Sequence, residues 1–155
     1  MSNKRAKFSA KPKGSVLLGE QLCFALYSTS LAMNKIYRKL LRELELTYPQ
    51  YLVMLVLWER DGVSVSEIGE RLYLNSATLT PLLKRIEALG LISRHRAHED
   101  ERQVIVNLSR AGRELRQKTG EVQDGVFHAS GCAVDEIVAI KQQLDRLRSR
   151  LMENA

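Results

Sequence analysis

The sequence predicts a mainly α-helical fold with a small β-hairpin wing, a winged helix-turn-helix. Three patterns predict it. Two short amphipathic helices follow each other closely. A pair of short strands with a charged loop comes directly after them. Further apolar helices flank this central segment on both sides, and they carry more apolar surface than such a small core can cover.

The helix expected over residues 75–89 is the candidate DNA-reading helix. Leucine and isoleucine recur along it at helical spacing and gather on one face, and Asn75 is placed to cap its first turn. The other face is small, hydroxylic and basic, which suits close approach to base edges and phosphates. The candidate DNA contacts on this helix are Ser76, Ala77, Thr78, Thr80, Pro81, Lys84 and Arg85. The pattern also fits an ordinary amphipathic helix with a solvated face.

The segment before this helix predicts the first half of a helix-turn-helix. Ser64 is expected to cap a short helix while Glu67 reaches back to it, as in a capping box. Residues 73–75 then form a tight turn into the second helix.

The segment after this helix predicts the wing. Residues 91–96 and 103–108 have the composition of two strands, and the loop between them is charged. We expect Arg94, Arg96 and Arg102 to face DNA, with Arg96 and Arg102 reaching an adjacent minor groove. Asp100 is expected to pair with Arg102 and so to stabilise the wing.

Charge and composition limit the alternatives. The net charge is +6, but Lys4, Arg5, Lys7, Lys11 and Lys13 account for all but about one unit of it. A nearly neutral body argues against an architectural DNA-binding protein without sequence preference. No membrane span or signal peptide is indicated, and two cysteines in 155 residues favour a cytoplasmic, reducing compartment.

The flanking helices predict a homodimer. A long helix is expected over residues 16–44, another over 109–128, and a coiled-coil-like seam runs from Ile137 to Leu151. We therefore expect a disordered basic tail at 1–14, dimerisation helices at 15–46 and 110–155, and the DNA-binding domain at 47–109. Two reading heads one DNA turn apart predict an inverted-repeat operator. A monomer with a helical cap is the alternative.

The two cysteines allow two interpretations. Cys23 lies in the first turns of the long helix, where the helix dipole favours the thiolate that peroxides attack. No basic residue lies within four positions of it on that helix, so a buried small apolar side chain fits equally well. Cys132 is open to the same two interpretations, and its distance from Cys23 in sequence excludes a local Cys-x-x-Cys motif.

A family resemblance covers nearly the whole chain, from about residue 17 to 151. The run Asp100-Glu101-Arg102-Gln103-Val104 resembles the wing signature of the MarR family of winged-helix repressors. Residues 21–28 and 46–51 resemble its organic hydroperoxide resistance subgroup, two-cysteine type. The resemblance implies that Cys23 is oxidised to a sulfenic acid and resolved as an intersubunit disulfide with Cys132. It also implies that Tyr37 and Tyr48 of the partner chain hydrogen-bond the Cys23 sulfur.

The expected function is therefore a redox-sensing repressor whose partners are operator DNA, a second copy of itself and an organic hydroperoxide. A MarR-type repressor that responds to a small aromatic acid, with an inert Cys23, is the alternative. A thiol peroxidase is disfavoured because no thioredoxin-like βαβ pattern is present, so no enzyme is expected. His95, His98 and His128 are too scattered for a metal site, and neither a metal nor a cofactor is expected.

Overall fold

The computed structural model of the protein describes residues 17–155, so the basic tail predicted at 1–14 lies outside the described residues. The described part of the chain divides into two units, residues 17–34 and residues 35–155. In chain order the elements are α1 (Leu22–Leu40), α2 (Tyr48–Glu59), β1 (Val63–Ser64), α3 (Val65–Leu72), α4 (Ser76–Ala88), β2 (Ile92–Arg96), β3 (Val104–Leu108), α5 (Arg110–Leu115), α6 (Gly120–Ser130) and α7 (Val134–Glu153). Short 3-10 turns occupy Leu18–Glu20, Arg42–Leu44 and Arg116–Lys118.

The long N-terminal helix is shorter than predicted at both ends. A 3-10 turn precedes it, and Gln21 takes an extended conformation, so α1 begins only at Leu22. At the other end a second 3-10 turn follows, and Glu45 adopts a left-handed conformation with φ of 54°. This backbone geometry ends the helical hydrogen-bonding pattern and directs the chain into α2.

Helix α2 forms the centre of the core of residues 35–155. A capping box begins it, since Gln50 Oε1 accepts a hydrogen bond of 2.8 Å from the Thr47 N–H. Pro49 lies in the first turn, where its missing N–H costs nothing. The helix is apolar on most sides, and its side chains from Gln50 to Trp58 are mostly buried.

The helix-turn-helix forms as predicted, with one difference in its first cap. Ser64 Oγ accepts from the Glu67 N–H at 3.1 Å, but the Glu67 carboxylate bonds Arg60 instead of reaching back to Ser64. The Arg60 guanidinium is charged, so its hydrogen bond to the Glu67 carboxylate is stronger than one from the neutral Ser64 backbone N–H. Tyr73 makes the turn between α3 and α4 in a left-handed conformation, with φ of 57°.

The two predicted wing strands form a sheet with a third strand that the sequence did not reveal. The strand order is β1-β3-β2, and all pairs are antiparallel. Val63 pairs with Val106, and Ile92 pairs with Leu108. Strand β1 has only two residues, too few to show an alternating pattern.

The helix predicted to run from residue 109 to about 128 is interrupted. Ser109 caps α5 as expected, with its Oγ accepting from the Gly112 N–H at 3.0 Å. The helix then tightens into a 3-10 turn, because both the hydroxyl (2.7 Å) and the N–H (3.2 Å) of Thr119 donate to the Arg116 carbonyl. A new helix, α6, starts at Gly120 and ends at Gly131, which has a φ of 64°.

The C-terminal helix α7 leaves its apolar stripe largely exposed in the single chain. Ile140, Leu144 and Leu151 are 45%, 42% and 58% exposed, while Ile137 and Leu147 are half-buried. Near its end the Arg148 guanidinium lies 5.1 Å from the ring centroid of Tyr73, at the turn of the helix-turn-helix. Within residues 17–155 no helix has the length and apolar character needed to cross a membrane.

Gly112 provides the first test, because α5 lies very close to the backbone of Leu91 at this residue. A Cβ on Gly112 would lie 2.1 Å from the Leu91 carbonyl oxygen, and the Gly112 carbonyl accepts a 2.8 Å hydrogen bond from Trp58 Nε1. We expect Gly112→Ala to lower the free energy of unfolding by about 1–3 kcal/mol, because backbone has to move. Urea unfolding followed by Trp58 fluorescence measures this.

Gly120→Ala is the matched control. Nothing lies within 4 Å of a Cβ at Gly120, which is the first residue of α6. This substitution should leave stability unchanged or raise it slightly. Equal stability of the two variants would contradict the close approach at Gly112.

Candidate DNA-reading surface and thiol site

Helix α4 presents the predicted polar face to solvent. Asn75 Oδ1 accepts from the Thr78 N–H at 2.9 Å, so the expected cap is formed. Leu79, Leu83 and Ile86 are buried, whereas Leu89 is 44% exposed at the end of the helix and not on the buried face. The exposed side chains are those of Ser76, Ala77, Thr78, Pro81, Lys84 and Arg85, and Thr80 is half-buried.

The wing loop is held by backbone hydrogen bonds. Asp100 Oδ1 accepts from the Arg102 N–H at 3.0 Å, and the Asp100 carbonyl accepts from the Gln103 N–H at 2.9 Å. The expected pairing of Asp100 with Arg102 therefore takes the form of a hydrogen bond to the Arg102 backbone, and within residues 17–155 no ion pair joins their side chains. In a tight turn an Asp carboxylate readily accepts from the backbone N–H two residues later, here that of Arg102, and so does not need to reach the end of the Arg102 side chain. The Arg102 guanidinium stays exposed.

Arg94 differs from the other basic residues expected to face DNA. Its Nη2 and Nε donate to Glu87 Oε2 at 2.6 and 3.1 Å, and its backbone N–H donates to Glu87 Oε1 at 3.1 Å. Its side chain is only 21% exposed. The strand period of two places Arg94 on the face of buried Ile92, and this signal was available in the sequence. The structure therefore places Arg94 against α4 and not among the exposed cations.

Four of the expected DNA-contacting cations have no acidic partner. Among the residues that the structure describes, Lys84, Arg85, Arg96 and Arg102 form no ion pair, and all four side chains are exposed. By contrast, Arg60, Arg71 and Arg113 are paired with carboxylates. The free positive charge of this region therefore lies on α4 and the wing, where phosphate contacts are expected.

Asp61, just beyond the end of α2, joins the wing to α5. Its Oδ1 accepts from the N–H groups of Gly62 (2.9 Å) and Leu108 (2.8 Å), and its Oδ2 pairs with Arg113 at 2.9 Å. One carboxylate thus holds the end of β3 and the start of α5. Leu108 and Arg113 lie 47 and 52 positions from Asp61 in the sequence, so no local pattern reveals these partners.

The predicted tyrosines Tyr37 and Tyr48 lie together within one chain. Their rings stack with centroids 4.1 Å apart, and Tyr51 lies 6.0 Å from Tyr37. Trp58 extends this aromatic row, with its ring 6.1 Å from that of Tyr51. Within residues 17–155 the buried Tyr51 hydroxyl makes no hydrogen bond of normal geometry. Burial raises the pKa of Tyr51, and the nearby Gln123 side chain partly offsets this rise.

Burial changes the acidity of this tyrosine pair. It raises the pKa of Tyr37 to about 12, and the neighbouring Tyr48 and Tyr51 contribute in the same direction. Burial also raises the pKa of Tyr48, which the contact with Tyr37 partly offsets. Both phenols are therefore neutral hydrogen-bond donors at physiological pH.

The two cysteines are free thiols that lie in different units of the chain. Cys23 is the second residue of α1, and its side chain is exposed. No acidic residue occupies the first turn of this helix. Cys132 lies between α6 and α7, half-buried, where its thiol donates to the Ser130 carbonyl at 3.4 Å. Its backbone N–H donates to Ser130 Oγ at 3.2 Å.

An open cleft of about 930 Å³ lies between the end of α1 and the start of α6. Its charged lining consists of Lys39, Lys118, Glu43, Glu121 and Asp124. Because the lining contains three carboxylates and only two ammonium groups, it does not favour the binding of an organic anion. The cleft therefore gives little support to an aromatic acid as the ligand.

Comparisons with known proteins agree with this architecture. The family model described as transcriptional regulator SarA/Rot matches residues 35–119, more than half of the chain. The organic hydroperoxide resistance transcriptional regulator of Bacillus subtilis (strain 168) is 43% identical over 134 residues, which is 86% of this chain and 91% of that protein. The chain belongs to the SarA/Rot family of MarR-like winged-helix transcriptional regulators. The predicted resemblance and the predicted winged-helix fold of this regulator are confirmed.

Further relatives extend the comparison. The regulator is 49% identical over 138 residues to the transcriptional regulator TtmR of Methylorubrum extorquens (strain PA1), covering 89% of this chain and 71% of TtmR. A structure of reduced AbfR bound to DNA is 36% identical, with a TM-score of 0.72, and the match covers 87% of this chain and 94% of AbfR. PcaV from Streptomyces coelicolor is 22% identical with a TM-score of 0.78, covering 87% and 96% of the two chains, and shares the fold.

The tyrosine pair provides a test of the burial described above. The folded regulator holds the Tyr37 proton more tightly than the unfolded chain, whose ordinary pKa is 10.0. The resulting contribution to stability is fully present below pH 10 and is lost as the pH rises through about 12. We therefore expect Tyr37→Phe to flatten the fall of the unfolding free energy between pH 10 and 12. Urea unfolding at several pH values measures the slope.

Tyr27→Phe serves as the control, because the Tyr27 ring is 61% exposed. Its slope should match that of the wild type. A Tyr37→Phe variant with the wild-type slope would contradict the raised pKa of the Tyr37 phenol.

Proposed function

We propose that the regulator is a redox-responsive repressor. As a homodimer it binds inverted-repeat operator DNA while Cys23 is reduced, and it releases the DNA when an organic hydroperoxide oxidises Cys23. The observation that carries this proposal is the exposed Cys23 thiol in the first turn of α1. An exposed thiol is accessible to a peroxide, which cysteine attacks as its thiolate.

The DNA-binding part of the proposal rests on the free cations of α4 and the wing. Lys84 and Arg85 project from the exposed face of α4, and Arg96 and Arg102 project from the wing. Ser76, Ala77 and Thr78 at the start of α4 are small enough for the backbone to approach base edges. Structures of AbfR, a relative with 36% identity, contain bound DNA and support the same partner here.

The dimer rests on apolar side chains that a single chain leaves exposed. Leu22, Phe24 and Tyr27 of α1 are 58%, 38% and 61% exposed. Val138, Ile140 and Leu144 of α7 are also exposed. Apolar surface of this extent on both terminal helices favours burial between two copies of the chain.

The proposed chemistry takes two steps, each balanced in atoms and electrons. The Cys23 thiolate attacks the terminal oxygen of the hydroperoxide, so that the O–O bond breaks and the sulfur becomes a sulfenic acid; the departing alkoxide takes a proton from water and leaves as an alcohol. The thiol of the partner subunit's Cys132 then attacks the Cys23 sulfur, which forms a disulfide and releases water. The exposed Leu22 and Phe24 side chains beside Cys23 favour an organic peroxide over hydrogen peroxide.

The tyrosine pair would serve the first step. Tyr37 and Tyr48 are stacked neutral phenols, so their hydroxyls can donate to a thiolate that approaches from the other subunit. Donation to the charged form stabilises a thiolate relative to a thiol.

The disulfide is the proposed releasing event. For AbfR, solved structures show the reduced and the overoxidised protein bound to DNA, and another contains the disulfide form. In the regulator we infer that joining Cys23 to the partner's Cys132 shifts the interlocked helices. The two reading heads would then lose register with successive major grooves.

A repressor that responds to a small aromatic acid is the second candidate, and one observation bears on it. The charged cleft at the end of α1 is large enough for such a ligand, but its carboxylates outnumber its ammonium groups. The structure therefore favours the thiol as the sensing group.

The redox proposal predicts the behaviour of two cysteine variants. After treatment with cumene hydroperoxide, the wild type should form a dimer band on a non-reducing gel and release DNA selected from a random duplex library. Cys23→Ser should form no band and stay bound. Cys132→Ser should also form no band, because its Cys23 sulfenic acid lacks the resolving thiol.

Three outcomes would contradict it. A dimer band in Cys23→Ser, release of DNA by Cys23→Ser under peroxide, or equal rates with hydrogen peroxide and cumene hydroperoxide would each remove one part of the mechanism. Indifference of the wild type to peroxide would favour the ligand-responsive alternative.

The DNA-binding proposal predicts a change in salt dependence. Lys84→Gln should lower the slope of log affinity against log salt by about two, because the homodimer loses one phosphate contact in each subunit. Lys39→Gln, on α1 and outside α4 and the wing, is the control and should keep the wild-type slope. An unchanged slope in Lys84→Gln would mean that this face of α4 does not meet the phosphates.

A further inference from the structure

The contact between Glu87 and Arg94 joins the DNA-reading helix to the wing. Glu87 lies in the last turn of α4, and Arg94 is the central residue of β2. Both carboxylate oxygens are used: Oε2 accepts from the Arg94 guanidinium at 2.6 and 3.1 Å, and Oε1 accepts from the Arg94 backbone N–H at 3.1 Å. We call this contact the helix–wing clamp.

The backbone part of the clamp distinguishes it from an ordinary surface ion pair. Strand β2 is an edge of the sheet, with β3 on its other side. The Arg94 N–H points away from β3, and Glu87 satisfies it. The helix therefore holds the strand itself and not only a flexible side chain.

The surroundings of Arg94 limit its freedom. The residue pairs with buried Val106 on β3, and its side chain is 21% exposed while that of Glu87 is 36% exposed. The hydrogen bond from Arg94 also keeps the pKa of Glu87 below its ordinary value, so the carboxylate is charged at neutral pH. A phosphate could engage Arg94 only by breaking these bonds, and it would then face the Glu87 charge.

We infer that Arg94 is a positioning residue for DNA recognition: through Glu87 it fixes the angle between α4 and the wing, and it does not itself bind DNA. The inference rests on the proposed DNA binding. Two groups on α4 and the wing must reach neighbouring grooves at the same time. The Arg102 side chain at the wing tip is exposed and, among residues 17–155, forms no ion pair, so its position relative to Lys84 on α4 depends on this clamp.

Glu87→Gln provides the decisive experiment. The variant keeps the shape of Glu87 and weakens its bonds to Arg94. If Arg94 acts through the clamp, affinity for the library-selected duplex should fall by about tenfold, with an unchanged salt slope. If Arg94 instead contacts a phosphate, Glu87→Gln should leave affinity unchanged or raise it, because an acidic group near DNA is removed, and the inference is overturned.

A double-mutant cycle tests how the clamp acts. Arg94→Gln should lower affinity in the wild type and have little further effect in an Arg102→Ala background, because both changes remove the same wing contact. Fully additive losses would overturn the inference. Arg94→Lys keeps the charge but loses the extended guanidinium contact, so it should lose affinity like Arg94→Gln, whereas a phosphate contact would tolerate it.

Controls separate positioning from loss of fold and from net charge. Glu114→Gln makes the same charge change in an exposed pair with Arg110 on α5, and it should leave affinity unchanged. Thermal unfolding should show every variant folded at the temperature of the binding assay. If Glu87→Gln is too unstable, a double variant with the charges exchanged, Glu87→Arg with Arg94→Glu, takes its place. This double variant should bind DNA more tightly than Arg94→Glu alone. A wild type that selects no DNA sequence overturns the proposed function itself, which is a different result from any failure of the clamp.

Discussion

The burial of α2 is the constraint on which the unit of residues 35–155 depends. This helix is apolar on most sides, and Tyr51, Val53, Met54 and Leu57 are almost completely buried. A helix of this kind is stable only if other elements cover it on every side. At its first turns it places Tyr48 and Tyr51 beside Tyr37.

The other end of α2 organises the DNA-binding elements. Trp58 Nε1 bonds the carbonyl of Gly112 on α5, and Arg116 bonds the Trp58 carbonyl at 3.2 Å. Asp61, just beyond the helix, holds the end of β3 and the start of α5. A single buried helix therefore connects the tyrosine pair with the base of the wing.

The distribution of ion pairs separates two kinds of basic residue. Arg60, Arg71, Arg94 and Arg113 are held by carboxylates and fix one element against another. Lys84, Arg85, Arg96 and Arg102 are exposed and, within the described part of the chain, without acidic partners. The body of the chain is nearly neutral, and Glu99, Asp100 and Glu101 of the wing loop are exposed as well, so phosphate contacts depend on where these four cations lie and not on net charge. The proposed sensing chemistry depends in a similar way on exposed groups, because Cys23 and the apolar residues of α1 and α7 lack a covering partner in the single chain.

The sequence by itself determined the features that depend on neighbouring residues. The caps at Ser64, Asn75 and Ser109, the left-handed Gly131 and the alternation of β3 all arise from interactions over a few positions, and each appears in the structure. The resemblance carried by the wing and the first helix also identified the family. The tertiary structure alone decided the partners of Arg94 and Asp61, the two-residue strand β1 and the interruption after α5. These depend on which groups meet after the chain has folded, because a side chain with several possible partners takes the one that packing brings within hydrogen-bond distance.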